Sequence, residues 1–399
     1  MRPDTESRRG RAALMAAHCA GMVDLVALPV WVGVLISHYG LAPQQAGGLA
    51  TLFLAGAVLA SLVVAPRLDR LPARALTALG YGLAALAFAT ISRLPAGLPM
   101  ALLHALAGVA AGAALSVTHG TIARSARPHR QFAAAGMALG LFAIVFLGAT
   151  PPLVAAVGGP VLFVVFAGVM AVAALACLLA FPRPAGDAAL APARALTGAG
   201  PAVSAARPGR LSPAVWAGIV GVACMGLVQS MTFSFLERVG VERGWSGGAI
   251  QGVLVALGLV NLAPAVLAAV LERRWSARAV MCTGPVVQAA LVAVIMTVPW
   301  FPAWAAAASV FAAVMIFTHT FAFGLLARLD ASGRAMAATP AMLMTGAAIG
   351  PVLGGTLVQT AGYASLAVAA AGFGALAVAC FARVPQSRAT GAAALRHAA

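Results

Sequence analysis

The sequence predicts an all-α membrane protein with twelve transmembrane helices in two pseudo-symmetric six-helix bundles. Of its 399 residues, 62% are hydrophobic and only 9% are charged, whereas soluble globular chains carry about 25% charged residues. Apolar runs of about 18 residues or more recur along the chain, and each can cross a bilayer core of about 30 Å as a helix. Buried β-strands are disfavoured because the runs are too long and too rich in Ala and Leu.

Charged or turn-forming stretches such as RLDRLPAR and PWFP separate the apolar runs. A helix satisfies its own backbone hydrogen bonds in lipid, which irregular chain cannot do. The predicted spans are roughly 13–37, 46–66, 75–92, 98–122, 132–156, 160–181, 213–236, 247–271, 279–298, 303–327, 337–360 and 364–382.

The basic residues indicate the orientation of the chain. All 25 of them are Arg, and 22 fall on one side of the membrane if the twelve spans alternate. Loops rich in basic residues stay in the cytoplasm. We therefore expect an inner-membrane protein with both termini in the cytoplasm. The net charge of +16 could also suit nucleic acid, but no basic face is interleaved with exposed aromatic residues, so we expect no nucleic-acid partner.

The sequence pattern predicts that the chain consists of two duplicated halves. Residues 182–212 form a basic segment rich in Pro, Ala and Gly, which is typical of a linker. It divides a bundle at 1–181 from a bundle at 213–399. LDRLPARALTALG follows the second span and LERRWSARAVMCTG follows the eighth, while THG at 118–120 resembles THT at 318–320. Repeated six-span halves are typical of secondary transporters, which bind substrate near the membrane midplane between the halves.

The sequence resembles the major facilitator superfamily over nearly its whole length. In that family the loop between the second and third spans reads roughly Gly-x-Leu-x-Asp-Arg-x-Gly-Arg-Arg. The stretch APRLDRLPAR matches this motif at Asp69, Arg70 and Arg74, and it departs at Ala65 and Pro72, where the family has Gly.

A second motif is GAAIGPVLGG at 346–355 in the eleventh span. It is similar to a Gly-Pro motif that exporters of the family carry in the fifth span, and it also fits close helix packing through small residues. The resemblance implies that spans 1, 2, 4, 5, 7, 8, 10 and 11 line a central cavity.

Asp24 is the main candidate for function. It is the only one of nine acidic residues that lies deep within a predicted span. An Asp at the centre of a membrane helix costs roughly 2.5–3.5 kcal/mol on insertion scales, so it is a functional hypothesis by default. We predict that Asp24 couples transport to protons. The alternative is a structural carboxylate that bonds a polar group on a neighbouring helix.

Three histidines are candidate proton relays. His18 precedes Asp24 by one to two turns, His119 lies near the cytoplasmic end of the fourth span, and His319 occupies the matching place in the tenth. Imidazole titrates near neutral pH and can pass protons. A neutral histidine that bonds its own helix is the alternative for each of them.

Candidate substrate contacts are uncharged polar or aromatic side chains in spans expected to line the cavity. They are Trp31, His104, Gln229, Thr232, Gln251 and Asn261. No Arg lies deep in a predicted span, which argues against a fixed anion such as a phosphate ester. The five cysteines all lie in spans without metal-ligand spacing, so we expect no metal and no cofactor.

A cytoplasmic gate is predicted from the two repeated loops. Asp69 is expected to dock at the start of the eleventh span, and Glu272 at the start of the fifth, since unpaired N–H groups at a helix N-terminus attract a carboxylate. Four arginines of the same loops would add pairing and contact lipid headgroups. They are Arg70, Arg74, Arg273 and Arg278.

These features favour a proton-coupled exporter of a drug-like molecule or metabolite, acting as a monomer with a small-molecule substrate, protons and membrane lipids as partners. A proton-coupled symporter that imports a small organic solute is the close alternative. A membrane enzyme or a sensor is a distant one. The chain has no His-Glu-x-x-His or Gly-x-Ser-x-Gly motif and no phosphate-binding Gly-x-x-x-x-Gly-Lys loop.

Overall fold

The computed structural model describes residues 4–68, 70–182, 212–272, 274–329 and 339–385. Within these ranges the chain is helical, with short connections and no strand. The predicted domain linker, 182–212, lies almost entirely outside the described residues.

Seven helices build the first six spans. The first span contains two of them, and each of the others contains one. They are Arg8–Gly21 and Val23–Ser37 in the first span, then Pro43–Val64, Ala73–Ile91, Leu98–Ala123, Pro128–Val157 and Val161–Ala180. A short 3-10 turn, Ala65–Arg67, closes the second span.

The second half repeats this order, with two broken spans. The seventh span contains Pro213–Phe233 and Leu236–Glu242, and the eighth contains Gly247–Val260 and Pro264–Leu271. The remaining spans are Ala277–Thr297, Phe301–Leu329, Thr339–Ala361 and Ala364–Ala382.

Eleven helical segments of the described ranges are long and apolar enough to cross a membrane. The eleventh span in chain order is outside that set, yet its 23 residues reach about 34 Å at 1.5 Å per residue. That length also exceeds the hydrocarbon core. The prediction of an all-α, multi-pass membrane fold is confirmed.

The duplication is visible in matching contacts. Ser7 and Ser212 each precede the first helix of a half, and each hydroxyl accepts a backbone N–H of that helix, at 3.0 Å and 3.3 Å respectively. Gly80 packs on Ala114 between the third and fourth spans, and Gly284 packs on Thr318 between the ninth and tenth. The two glycines are 204 residues apart, as are Ala114 and Thr318.

This register corrects the matching of the two histidines. Residues 204 apart are equivalent in these spans, so His119 corresponds to Phe323 and His319 corresponds to Leu115. The THG and THT tripeptides are therefore displaced by about one helical turn. They match by residue type and not by position in the fold.

Close packing of small residues joins helices within each half. A Cβ at Gly108 would overlap the backbone of Phe53, and one at Gly346 would overlap the Ala223 carbonyl. The glycines therefore allow the fourth span to touch the second, and the eleventh to touch the seventh, backbone to backbone. The contact of Gly346 fits the packing alternative for the Gly-rich stretch at 346–355.

The hydrogen bonds described between the two halves lie towards one end of the bundle. We call the end that holds residues 8, 182 and 213 the linker side, and the opposite end the far side. At the far side the Gln44 N–H donates to Gln359 Oε1 at 3.2 Å, and the Val352 N–H donates to Thr51 Oγ1 at 3.2 Å. Gly355 lies against the backbone of Pro43. The second and eleventh spans thus close the far side.

Candidate functional site

The first span breaks close to its only acidic residue. Met22, with φ −110° and ψ 18°, separates the two helices of the span. Asp24 lies in the first turn of the second helix, where unpaired N–H groups and the helix dipole favour a negative charge. Pro29, one turn further on, cannot donate to the carbonyl of Leu25. The helix therefore departs from regular hydrogen bonding on both sides of Asp24.

The Asp24 side chain is closed off from solvent. It is 1% exposed, and its Oδ1 atom has no hydrogen-bond partner among the described residues. A buried acceptor without a partner is costly. A proton, or a polar group delivered by a ligand, would relieve that cost.

The seventh span carries a matching feature that sequence reasoning missed. Phe235, with φ −112° and ψ 7°, breaks this span much as Met22 breaks the first. An acidic residue follows each break by two positions, Asp24 in MVD and Glu237 in FLE. The predicted seventh span ends at residue 236, one residue before Glu237, whereas the short helix Leu236–Glu242 extends beyond it.

Glu237 nevertheless lies at a different depth from Asp24. The serine caps set an offset of 205 residues between the two spans, so the position equivalent to Asp24 is Gln229. Gln288 holds the side chain of Gln229, since its Nε2 donates to Gln229 Oε1 and to the Met225 carbonyl, both at 3.2 Å. Asp24 therefore has an amide as its counterpart in the second half.

Two of the candidate relays lie together. His18 Nδ1 and His119 Nε2 are 3.0 Å apart and form a hydrogen bond between the first and fourth spans. His18 is buried and His119 is half-buried, with the ring of Phe132 5.8 Å from that of His119. The pair lies on the linker side of Asp24, about 9 Å along the helix from it at 1.5 Å per residue.

The third candidate relay is not part of this pair. His319 lies in the tenth span, with its ring centroid 5.0 Å from that of Phe323. Its Nδ1 atom has no partner among the described residues. Nothing in the described contacts connects it to His18 or His119.

Trp31 and His104 lie in a packed aromatic cluster, away from any open surface. Both are fully buried, and their rings stack with centroids 5.6 Å apart. Phe88 and Phe166 pack edge-on against Trp31. His104 Nδ1 lies 2.8 Å from the Met100 carbonyl of its own helix. His104 is therefore a histidine that bonds its own helix. The structure thus places these two predicted cavity residues in the core of the first half.

The other predicted cavity residues are separated from one another. Thr232 is fully buried, and its Oγ1 has no partner among the described residues. Asn261 lies at the break of the eighth span, and its Oδ1 likewise has none. Gln229 bonds to the ninth span, as described above.

Gln251 joins the two halves because of a proline. Its Nε2 donates to the carbonyl of Gly148 in the fifth span. Pro152 lies four residues after Gly148 and has no N–H to offer that carbonyl. The eighth span therefore satisfies an acceptor that the fifth span leaves open on the far side.

Replacing Gln251 with Leu should destabilise the closed far side. The substitution leaves the Gly148 carbonyl without a partner, which costs about 1–3 kcal/mol when buried. We expect faster labelling of a cysteine placed at Val34, on the far-side half of the first span, by an impermeant thiol reagent. Gln251→Glu, protonated at low pH, should recover part of the protection. Unchanged labelling in Gln251→Leu would show that this bond does not hold the halves together.

The predicted gate residues are only partly described. Asp69, Arg273 and the segment 330–338 before the eleventh span lie outside the described residues. Glu272 bonds within its own half, to Arg328 Nη1 at 3.1 Å. Arg278 donates to the Ala382 carbonyl.

The predicted docking site of Glu272, at the start of the fifth span, makes a hydrogen bond to another segment. The side chain of Gln131, at the start of the fifth span, donates to the Thr5 carbonyl at 2.8 Å. Arg70 is exposed and Arg74 is half-buried. The gate therefore stays a prediction for a state in which the linker side is closed.

Two related halves of six spans, with breaks in the first, seventh and eighth, define the fold of a secondary transporter. The family model of the Major Facilitator Superfamily matches residues 13–329. The chain belongs to this family.

Solved structures share the fold at low sequence identity. A D-xylose-proton symporter aligns with a TM-score of 0.71 and 13% identity, covering 95% of this chain and 98% of that one. The nucleoside transporter NupG aligns at 0.68 and 11%, covering 94% and 98%. A bacterial homologue of the human lysosomal transporter Spinster, inward-facing and occupied, aligns at 0.65 and 14%, covering 94% and 93%. A search of curated proteins finds no match.

Proposed function

We propose that the chain is a proton-coupled secondary transporter of the inner membrane that exports a small drug-like molecule or metabolite. The observation that carries the proposal is Asp24, a carboxyl 1% exposed at a break of the first span, in a chain with a transporter fold. Ionisable residues inside membrane spans are expensive to keep and mark ion or substrate pathways.

Competition for Asp24 would couple the two movements. An ionised carboxylate is far more expensive to bury than a neutral carboxyl group, so the closed site holds the proton. Opening admits water, the proton leaves, and a cationic or hydrogen-bonding substrate takes its place opposite the carboxylate. The substrate is then carried across as protons return.

His18 and His119 would form the proton path to the linker side. Their 3.0 Å contact allows a proton to pass from one ring to the other, because each imidazole can donate at one nitrogen and accept at the other. His319 remains a candidate of its own in the tenth span.

The linker side should face the cytoplasm. We expect cysteines at Ala96, Val241 and Ala364, placed singly in a cysteine-free background, to react with an impermeant thiol reagent added to intact cells. A cysteine at Ala199 should react only after the membrane is permeabilised. The physical reason is the concentration of Arg in the loops of the linker side. The reverse labelling pattern would overturn the orientation.

A symporter that imports a small organic solute is the second candidate. The structural likeness to a D-xylose-proton symporter favours it, as does an Asp24 that could load proton and solute together. Both candidates are transporters rather than enzymes, in agreement with the family of the chain.

Flux in proteoliposomes tests the proposal and separates the candidates. Substrates are first selected from a metabolite and drug panel by thermal shift, since a ligand that binds only the native state raises its apparent stability. A proton-coupled exporter moves solute in the direction opposite to the protons, so it fills the vesicles when the imposed proton gradient points outward. A symporter moves solute together with the protons, so it fills the vesicles when the gradient points inward. No gradient-dependent flux of any binding compound would refute proton-coupled transport.

A further inference from the structure

A cavity of about 330 Å³ lies on the far side, between the two halves. Its walls come from the first and fifth spans of one half and the seventh and eighth spans of the other. Its size falls at the small end of the range for ligand sites, about 300–1,000 Å³. It is separate from Asp24, which does not line it.

Glu237 provides the acid of this cavity. Its Oε2 atom is buried without a hydrogen-bond partner among the described residues. Gly33 lies opposite, and a Cβ there would stand 3.4 Å from Oε2, so the missing side chain leaves space beside the carboxyl. Arg238 also lines the cavity, but its Nε donates to Glu242 Oε1 at 2.9 Å. Its charge is already paired.

The rest of the lining combines aliphatic walls with hydrogen-bond acceptors. Val30, Val34, Ile250 and Leu254 contribute hydrocarbon. The Ser37 hydroxyl gives its proton to the Gly33 carbonyl at 2.8 Å, so towards a ligand it can only accept. One of the two amide N–H groups of Gln251 is donated to the Gly148 carbonyl, and its Oε1 atom is an acceptor. His38 lies at the exposed rim and is a titratable group of the lining, as Glu237 and Arg238 are.

We propose that this far-side cavity binds the ammonium group of a small organic cation, with Glu237 as its counter-charge and the valines and leucine around its hydrocarbon part. An ammonium group carries three donors and no acceptor, which matches a carboxylate and a hydroxyl oxygen within apolar walls. The site would hold a cationic solute on the far-side part of its route. That last role rests on the proposed transport function, whereas the binding itself does not.

Binding of n-butylammonium chloride to the purified full-length protein tests the proposal. We expect saturable thermal stabilisation of the wild type, beyond that given by sodium chloride at equal ionic strength or by n-butanol. The apparent Kd should rise at least about tenfold in Glu237→Gln, because the counter-charge is lost. Glu6→Gln, the same carboxyl-to-amide change on the linker side of the protein, should bind as the wild type does.

A second variant blocks the site and keeps the acid. Gly33→Val places side-chain atoms against the Glu237 carboxyl and should weaken binding to a similar extent, which covers the case that Glu237→Gln does not fold. Three results would overturn the proposal: no saturable stabilisation of the wild type, wild-type binding in both Glu237→Gln and Gly33→Val, or the same loss of binding in Glu6→Gln as in Glu237→Gln. Intact ammonium binding without gradient-driven flux would refute the proposed function and leave the site standing.

Discussion

Replacement of Asp24 by Asn should abolish pH-gradient-driven accumulation of substrate and leave a folded protein. Asn has the shape of the protonated carboxyl group and can neither release nor bind the proton. The coupling free energy between two ligands is typically 1–3 kcal/mol, or about 5–150-fold in affinity. We expect Asp24→Asn to lose all of the coupling between proton and substrate. The measurement is substrate flux in proteoliposomes with and without an imposed proton gradient.

The controls separate coupling from folding. Asp24→Glu keeps a titratable group at the site and should retain partial activity. Thermal unfolding and size-exclusion chromatography report whether Asp24→Asn is folded. Accumulation at the wild-type rate by Asp24→Asn would remove Asp24 from the coupling mechanism. Loss of folded protein would support the alternative of a carboxylate that is kept for structure.

The second large effect concerns the closed far side. A Cβ at Gly355 would overlap the Pro43 carbonyl, and one at Gly47 would overlap the Pro351 carbonyl. These contacts join the two halves, so a larger side chain can be accommodated when the halves separate. We expect Gly355→Leu to shift the protein towards a state open on the far side. Overpacking costs typically 1–3 kcal/mol, which would change the ratio of states by about 5–150-fold.

Distances between spin labels at Gln45 and Thr360 would report this shift, since both positions are exposed at the far side. Gly355→Leu should lengthen the main distance. Gly108→Leu is the matched control, because its contact with Phe53 lies within one half and cannot be relieved by opening. It should lower the yield of folded protein instead. An unchanged distance in Gly355→Leu would show that this packing does not set the far-side equilibrium.

The spans could be predicted from the sequence because crossing a bilayer requires long apolar runs. The breaks within spans could not. Apolar residues lie on both sides of Met22 and Phe235, so hydropathy does not mark the two positions where the backbone dihedral angles leave the helical range. Asp24 lies in the middle of a predicted span, and its depth was therefore predicted. Glu237 lies just beyond the end of a predicted span, and its role was missed. A shared pattern, an acid two positions after a large apolar residue in MVD and FLE, is the signal that could have indicated it.

Side-chain direction was the weaker part of the prediction. Helices that are apolar on all sides do not reveal which face meets a cavity. Trp31 and His104 were assigned to the cavity because they lie in spans expected to line it, but long-range packing with Phe88 and Phe166 places them in the core. His18 and His119 were both named from their chemistry. Their contact across 101 residues could not be read from the sequence.

Proton movement driven by the substrate tests the central claim most directly. A pH-sensitive dye trapped in proteoliposomes without an imposed gradient would report the lumen as substrate is added outside. We predict that the lumenal pH changes in step with substrate uptake for the wild type, and that Asp24→Asn gives no pH change. Substrate uptake by the wild type without any proton movement would contradict proton-coupled transport by this chain.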